Sequence, residues 1–309
     1  MTSPDHSDSL ARRGLFRAGL AFTTAAVAAT AVSGPAASAA QDTGPSRAEA
    51  ELAELEQRHG ARLGVFARNL CTGRTVARRA GERFAMWSTF KAFAAAVVLR
   101  DHGGCAPLDQ VIHYPPHDIL PNSPRTTEHV DTGMTVGDLC AAAIQYSDNA
   151  AGNLLLRQIG GPAGLTRFFR SLGDEASRLD RWETDLNSAI PGDPRDTTTP
   201  EALGRAFERL TLGRVLSGTD RERLVGWLKG NTTSAKRFGA GLPADWVLAD
   251  KTGTGDYGTA NDIGVAWTPR GTPLLLTVLS TKNAQDASPD DALVAETARI
   301  LSHTLAPGE

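Results

Sequence analysis

The chain has 309 residues, 41% of them apolar and 22% charged, an ordinary globular balance. A formal charge of −3 argues against nucleic acid or an anionic membrane surface as a main partner. Three cysteines, Cys71, Cys105 and Cys140, are too few and too odd in number for a disulfide framework, and no bridge is expected.

The N-terminus reads as an export signal rather than part of the fold. Ala11-Arg12-Arg13-Gly14-Leu15-Phe16 is a twin-arginine pattern, followed by an apolar run from Ala18 to Val32. Ala36-Ala37-Ser38-Ala39-Ala40 then offers small-x-small cleavage sites. The run is short and alanine-rich, and no cysteine stands near it to carry a lipid. A secreted protein without stable membrane insertion is therefore expected. Removing residues 1–40 leaves a domain of roughly 270 residues, residues 41–309, compatible with two interlocked subdomains.

Ser46 begins a capped helix with Glu49 as its capping-box partner, Leu52, Ala53 and Leu55 on its apolar face, and Gly60 at its end. Leu63–Ala67 and Thr75–Ala77 read as short strands joined by the turn Cys71-Thr72-Gly73. Ser88 would then start a helix through Leu99 that stops at Gly103-Gly104. Residues 105–134, rich in proline and histidine, predict a long surface loop. Thr135, with Asp138 in the capping position, opens a helix to about Tyr146. Ser147-Asp148-Asn149 interrupts it with residues that favour caps and turns. Helices over Ala150–Ile159 and Pro162–Leu172 follow. From Asp174 to Thr198 no periodicity is visible, and a segment that long without regular structure is usually functional.

Thr199-Pro200-Glu201 is a helix start, and Thr219 opens another helix ending near Gly230. Strands are predicted over Asp245–Lys251, Asn261–Trp267 and Leu274–Ser280. Ser288-Pro289-Asp290-Asp291 caps a last helix to about Leu305. Strands near both chain ends with helices between them predict an α+β fold of three layers, α/β/α. An antiparallel sheet is flanked by terminal helices, with an all-helical subdomain inserted between its strands. The α/β part takes residues 41–86 and 236–309, the helical part 87–235.

The chemistry begins with Ser88 and Lys91, which lie one helical turn apart on the same side. A helix N-terminus favours developing negative charge, which suits a serine whose proton is taken by a nearby amine. Three further polar groups stand out: Ser147-Asp148-Asn149, Glu183 with Asn187, and Lys251-Thr252-Gly253-Thr254-Gly255. Singly, each has a plain structural reading as a cap, a solvated loop and a turn.

In this order they resemble the class A serine β-lactamases, within the penicillin-recognising family of D,D-peptidases, whose signature is Ser-x-x-Lys, Ser-Asp-Asn and Lys-Thr-Gly. The similarity extends to Thr132–Val136, Asn153–Leu156, Arg178–Glu183 and Asp196–Thr198, and so covers nearly all of the chain after the signal. The resemblance implies Ser88 as nucleophile and an oxyanion hole made by the backbone N–H groups of Ser88 and Thr254. It implies Ser147 as the proton donor to the leaving nitrogen, and leaves open whether Lys91, or Glu183 through a water, is the acylation base. Glu183 and Asn187 would hold the deacylating water. Lys251, Thr252, Gly253 and Thr254 would bind the substrate carboxylate and Asn149 the side-chain amide. Arg181 and Asp196 would staple the loop around Glu183. The implied protein is a monomer acting on small-molecule β-lactams with no metal and no cofactor. A D,D-peptidase or esterase of the same fold, and an exported β-lactam-binding pseudoenzyme, are the alternatives.

Several positions depart from that pattern. Trp87 stands where a small residue usually precedes the nucleophile, and Asn122 replaces an aromatic gatekeeper. Cys140 matches one half of a cysteine pair whose other position is Ala95. An arginine common after Lys-Thr-Gly is Ala260 here, and Arg237 matches its alternative location, where it would place positive charge near the substrate carboxylate. His113 and His117 have metal-ligand spacing, but Pro115 and Pro116 break the helix that would align them. Asn231-Thr232-Thr233 fits a glycosylation sequon and is expected to cap the preceding helix instead.

Overall fold

The computed structural model describes residues 46–101 and 107–309. The export signal and Cys105 lie outside them. Helix α1 (Arg47–Arg58) starts on the expected capping box, in which Ser46 Oγ accepts from Glu49 N at 3.3 Å and the Glu49 carboxylate accepts from Ser46 N at 2.8 Å. Strands β1 (Arg62–Asn69), β2 (Thr75–Arg78) and the two-residue β3 (Phe84–Ala85) follow. The middle of the chain is helical: α2 (Phe90–Asp101), α3 (Pro124–Glu128), α4 (Val136–Gln145), α5 (Asn149–Gln158) and α6 (Gly161–Ser171), then α7 (Pro200–Thr211) and α8 (Gly218–Lys229). Short strands β4 (Val111–Ile112), β5 (Met134–Thr135) and β6 (Thr197–Thr198) lie among them. After α9 (Phe238–Gly241) come three nine-residue strands, β7 (Val247–Gly255), β8 (Thr259–Trp267) and β9 (Pro273–Thr281), and finally α10 (Asp291–Leu305).

The main sheet is antiparallel in the order β2-β1-β9-β8-β7, so the first strand of the chain pairs with the last. Alternate residues of each strand serve two cores. Leu63, Val65 and Ala67 of β1, with Leu274, Leu276 and Val278 of β9, join Leu52 and Leu55 of α1 and Leu293, Val294 and Leu301 of α10. On the other face Phe66, Leu275 and Leu279 meet Leu203 and Phe207 of α7 and the residues of α2. This is the three-layer α+β arrangement the sequence predicts. Helix α2 shows no amphipathic stripe because Phe90 to Leu99 are all buried, so every face meets protein.

The structure differs from the sequence-based expectation at four places. Residues 107–134 are not a featureless loop: they carry β4 and α3, and β4 pairs with β5 at the end of the stretch. Two-residue ladders carry no periodicity to read. The Lys251-Thr252-Gly253 motif does not end a strand but lies inside β7, which pairs on through Thr254↔Ala260 and Gly255↔Thr259. Ser88 precedes α2 in a 3₁₀ turn, Trp87–Thr89, rather than opening the α-helix itself. Asn231 caps no helix in the expected way: its Oδ1 accepts from Thr233 N at 3.0 Å and its Nδ2 donates to Asp250 Oδ1 at 3.0 Å.

Candidate active site

The polar groups singled out above converge from five elements. Ser88 comes from the 3₁₀ turn and Lys91 from the first turn of α2. Ser147 sits in the break between α4 and α5, Glu183 in the segment before the 3₁₀ turn Asp185–Ser188, and Lys251 on edge strand β7. Lys91 is the hub. Its Nζ donates to Ser88 Oγ at 3.0 Å, the Ser147 carbonyl at 2.8 Å and Asn149 Oδ1 at 2.6 Å. Those three partners use all three ammonium hydrogens. Glu183 Oε1 lies 3.1 Å from the same ammonium, forming a buried ion pair with it. Burial pushes the Lys91 amine below its ordinary range, and the Glu183 carboxylate opposes that shift.

Glu183 is held from three directions. Its Oε2 accepts from Asn187 Nδ2 at 2.6 Å, and Asn153 of α5 brackets its backbone, accepting from Glu183 N and donating to Glu183 O, both at 2.9 Å. Asn187 Oδ1 is buried and has no donor. The loop is also tied at its base. Asp196 Oδ2 accepts from Arg181 Nε at 2.6 Å, while its Oδ1 accepts from the backbone N–H of Asp180 at 2.7 Å and of Arg181 at 3.0 Å.

Ser147 adopts φ +56°, and its Oγ accepts from Lys251 Nζ at 3.2 Å. Lys251 is fully buried. Desolvation, reinforced by the neighbouring positive charge of Lys91, pushes its amine down to about 7, although Asp250 and Asp262 pull the other way. These two buried carboxyls are themselves raised, Asp262 well above the ordinary range, chiefly by burial. Two carboxyls in such a place share a proton rather than ionise together.

Asn149 spends its Oδ1 on Lys91 and one N–H on the Pro121 carbonyl at 2.8 Å, which leaves a second N–H for a ligand. Asn122 donates to the Ser147 carbonyl at 3.2 Å and so lies against the Ser147 turn. Thr252 shares a hydroxyl contact with Thr233. Arg237 is buried and makes four hydrogen bonds: Nε to Asp291 at 2.7 Å, Nη1 to the carbonyls of Gly253 and Asn261 at 2.8 Å each, and Nη2 to Thr254 Oγ1 at 2.6 Å. Its charge therefore meets the site through Thr254.

Two residues that position the site escaped the sequence reading. Asn153 lies in a helix and in a stretch that carries the family resemblance, but the sequence assigns it no role, although an asparagine in a helix interior is itself a signal that its side chain has other work. Asp148, the middle of Ser147-Asp148-Asn149, is wholly buried; it caps α5 through Ala151 N and accepts from Arg125 N, Thr126 N and Thr126 Oγ1. It fixes the break from which Ser147 and Asn149 project. Among the described residues no cluster of His, Cys, Asp and Glu could hold a metal, and Cys71 and Cys140 are free thiols.

A five-stranded antiparallel sheet with helices on both faces and this polar cluster at its edge is the architecture of the class A β-lactamases. The model of the β-lactamase enzyme family matches residues 47–305. The AST-1 β-lactamase of Nocardia asteroides is 52% identical over 297 residues, 95% of this chain and 96% of its own. The solved β-lactamase of Streptomyces albus G superposes with a TM-score of 0.82 at 52% identity, covering 84% of this chain and 99% of that one. A reconstructed last common ancestor of Gram-negative class A β-lactamases gives 0.81 at 53% identity, over 83% and 98%. The chain belongs to the β-lactamase enzyme family, in its class A branch.

Proposed function

We propose that this protein hydrolyses the amide bond of β-lactams through an acyl-enzyme on Ser88, which a Glu183-activated water then releases. Ser88 Oγ attacks the lactam carbonyl, forming an ester as the C–N bond breaks. Lys91, or Glu183 through a water, takes the hydroxyl proton, and burial, by lowering the basicity of the Lys91 amine, favours the neutral form that can accept it. Ser147 delivers a proton to the departing nitrogen, and Lys251, 3.2 Å from its Oγ, biases it as donor. The backbone N–H groups of Ser88 and Thr254 receive the oxyanion, a contribution typically of about 3 kcal/mol per donor. Lys251, Thr252, Gly253 and Thr254 bind the carboxylate of the antibiotic, Arg237 adds charge through the Thr254 hydroxyl, and Asn149 takes the side-chain amide.

The observation that carries this reading is the buried pair of Glu183 and Asn187, joined at 2.6 Å, in which Asn187 Oδ1 has no donor and Glu183 Oε1 faces only the Lys91 ammonium at 3.1 Å. These two acceptors suit the two hydrogens of one water, held where a carboxylate can deprotonate it. A trapped penicillin target has no use for that arrangement. The twin-arginine pattern around Arg12-Arg13 supports export of the enzyme by that route. Among the described residues no helix is long and apolar enough to cross a membrane.

Turnover of a chromogenic cephalosporin tests the proposal. Sustained catalysis that Ser88→Ala abolishes is expected; a stoichiometric burst followed by arrest would mean a peptidase or a binding protein instead.

A further inference from the structure

Trp87, the residue immediately before the nucleophile, is buried and adopts φ +51°, a left-handed backbone conformation that bulky side chains rarely take. Its side chain lies along strand β7. A Cβ added to Gly255 would sit 1.4 Å from the indole Cη2, 1.5 Å from Cζ3 and 1.9 Å from Cζ2. A Cβ added to Gly253 would come within 3.0 Å of Trp87 Cβ and 3.4 Å of the Ser88 nitrogen. Neither glycine has a positive φ, so the backbone itself does not demand glycine at either position. At Gly255 what excludes a side chain is the indole; at Gly253 it is the Trp87 Cβ together with the Met86 carbonyl at 3.3 Å and the Ser88 nitrogen.

Alternate residues of a strand face the same way, so Gly253 and Gly255 together present the surface that Trp87 covers, while the Thr254 side chain points to the opposite face. On that face Arg237 Nη2 holds Thr254 Oγ1 at 2.6 Å. Thr254 is thus gripped from both sides: by the guanidinium on its own side chain, and by Trp87 on its two neighbours, the Cβ against Gly253 and the indole against Gly255. The indole is covalently one residue from Ser88.

We infer that Trp87 is a positioning residue that sets the separation between the Ser88 and Thr254 backbone N–H groups, and that it forms a coupled pair with Gly255 that fixes the width of the site at that end. This rests on the oxyanion-hole reading given above. A side chain at 255 must push apart the two walls that carry the oxyanion donors. Position 255 tolerates a side chain only once residue 87 is made small.

The test uses four proteins: the parent, Trp87→Ala, Gly255→Ala and the double variant, each first checked for cooperative thermal unfolding. Benzylpenicillin hydrolysis and the affinity for phenylboronic acid, which mimics the tetrahedral adduct on a serine, are then measured. Trp87→Ala should lower kcat at least tenfold with KM within threefold, and weaken the boronic acid by a similar factor, a split that a purely structural role would not produce. Gly255→Ala should lower kcat at least tenfold in the parent but less than twofold in the Trp87→Ala background. If Gly255→Ala alone does not fold, folding of the double variant supports the pairing and the boronic acid comparison decides the positioning role. Equal effects of Gly255→Ala in both backgrounds, or parental kcat and boronic acid affinity in Trp87→Ala, would overturn the inference. A parent that does not bind the boronic acid, or a Ser88→Ala variant that still turns over, would instead overturn the serine reading on which it rests.

Discussion

Glu183→Gln separates the two halves of the proposed cycle. The substitution keeps the shape of the side chain and an oxygen for Asn187, but removes the carboxylate that would take the proton of the deacylating water. Loss of a positioned general base slows its step by about 10²–10⁴-fold, which corresponds to roughly 3–5 kcal/mol of barrier. The same change removes the carboxylate 3.1 Å from the buried Lys91 amine. A buried ammonium left without its partner would destabilise the fold by about 3–5 kcal/mol. Release of the Lys91 proton is the cheaper outcome, because burial already pushes that amine down. The variant should therefore fold, with a smaller loss of stability than a stranded charge implies. Rapid-quench mass spectrometry of the intact protein mixed with benzylpenicillin is the assay. The expected result is protein heavier by one penicillin, persisting for many parental turnover times. Parental steady-state turnover with no adduct would refute the deacylation role of Glu183.

Four further outcomes follow from the structure. Lys251 is held down to about 7 by burial and by Lys91, so kcat/KM for carboxylate-bearing penicillins should fall about tenfold per pH unit above that value as the free enzyme loses its charged form. The bound carboxylate favours the charged amine, so kcat should hold to higher pH, and a flat kcat/KM profile to about pH 9 would contradict this. The same group affects stability: between about 7 and the unfolded value near 10.4 the unfolded chain keeps a proton the folded chain has lost, so this lysine's contribution to stability rises with pH across that window, and the rise should vanish in Lys251→Met. Asp196→Ala strands Arg181 and two backbone N–H groups, and should lower stability by about 3 kcal/mol, read as a fall in Tm of roughly 6–12 °C; an unchanged Tm would remove the staple from the account. Arg237→Ala frees the Thr254 hydroxyl and should lower kcat/KM for penicillins, whereas unchanged kinetics would show that its charge does not reach the substrate.

What was legible in the sequence follows the range of the signal. Caps are local, so Ser46 with Glu49, Thr135 with Asp138 and Thr199 before Pro200 mark helix starts correctly from a few residues of text. The helix expected from Thr219 begins instead at Gly218, because Ser217 supplies the capping oxygen to Asp220 N. The sheet strands are legible because alternating apolar residues serve two cores. Their ends are less so, since Thr254 and Gly255 have no apolar character and are strand only because β8 pairs with them. The polar clusters could be singled out in the sequence, but their meeting at Lys91 could not, as its contacts reach residues 56, 58 and 92 positions away. Trp87 was visible as an oddity before the nucleophile. Only the structure shows the two glycines of β7 lying beneath it.

The central claim is that the substrate becomes esterified to Ser88 and that Glu183 removes it. Peptide mapping of Glu183→Gln after exposure to benzylpenicillin tests both parts at once. The account predicts one added penicillin on the peptide containing Trp87-Ser88-Thr89, and none when Ser88→Ala is combined with Glu183→Gln. An adduct on any other residue, or no adduct while hydrolysis continues, would contradict it.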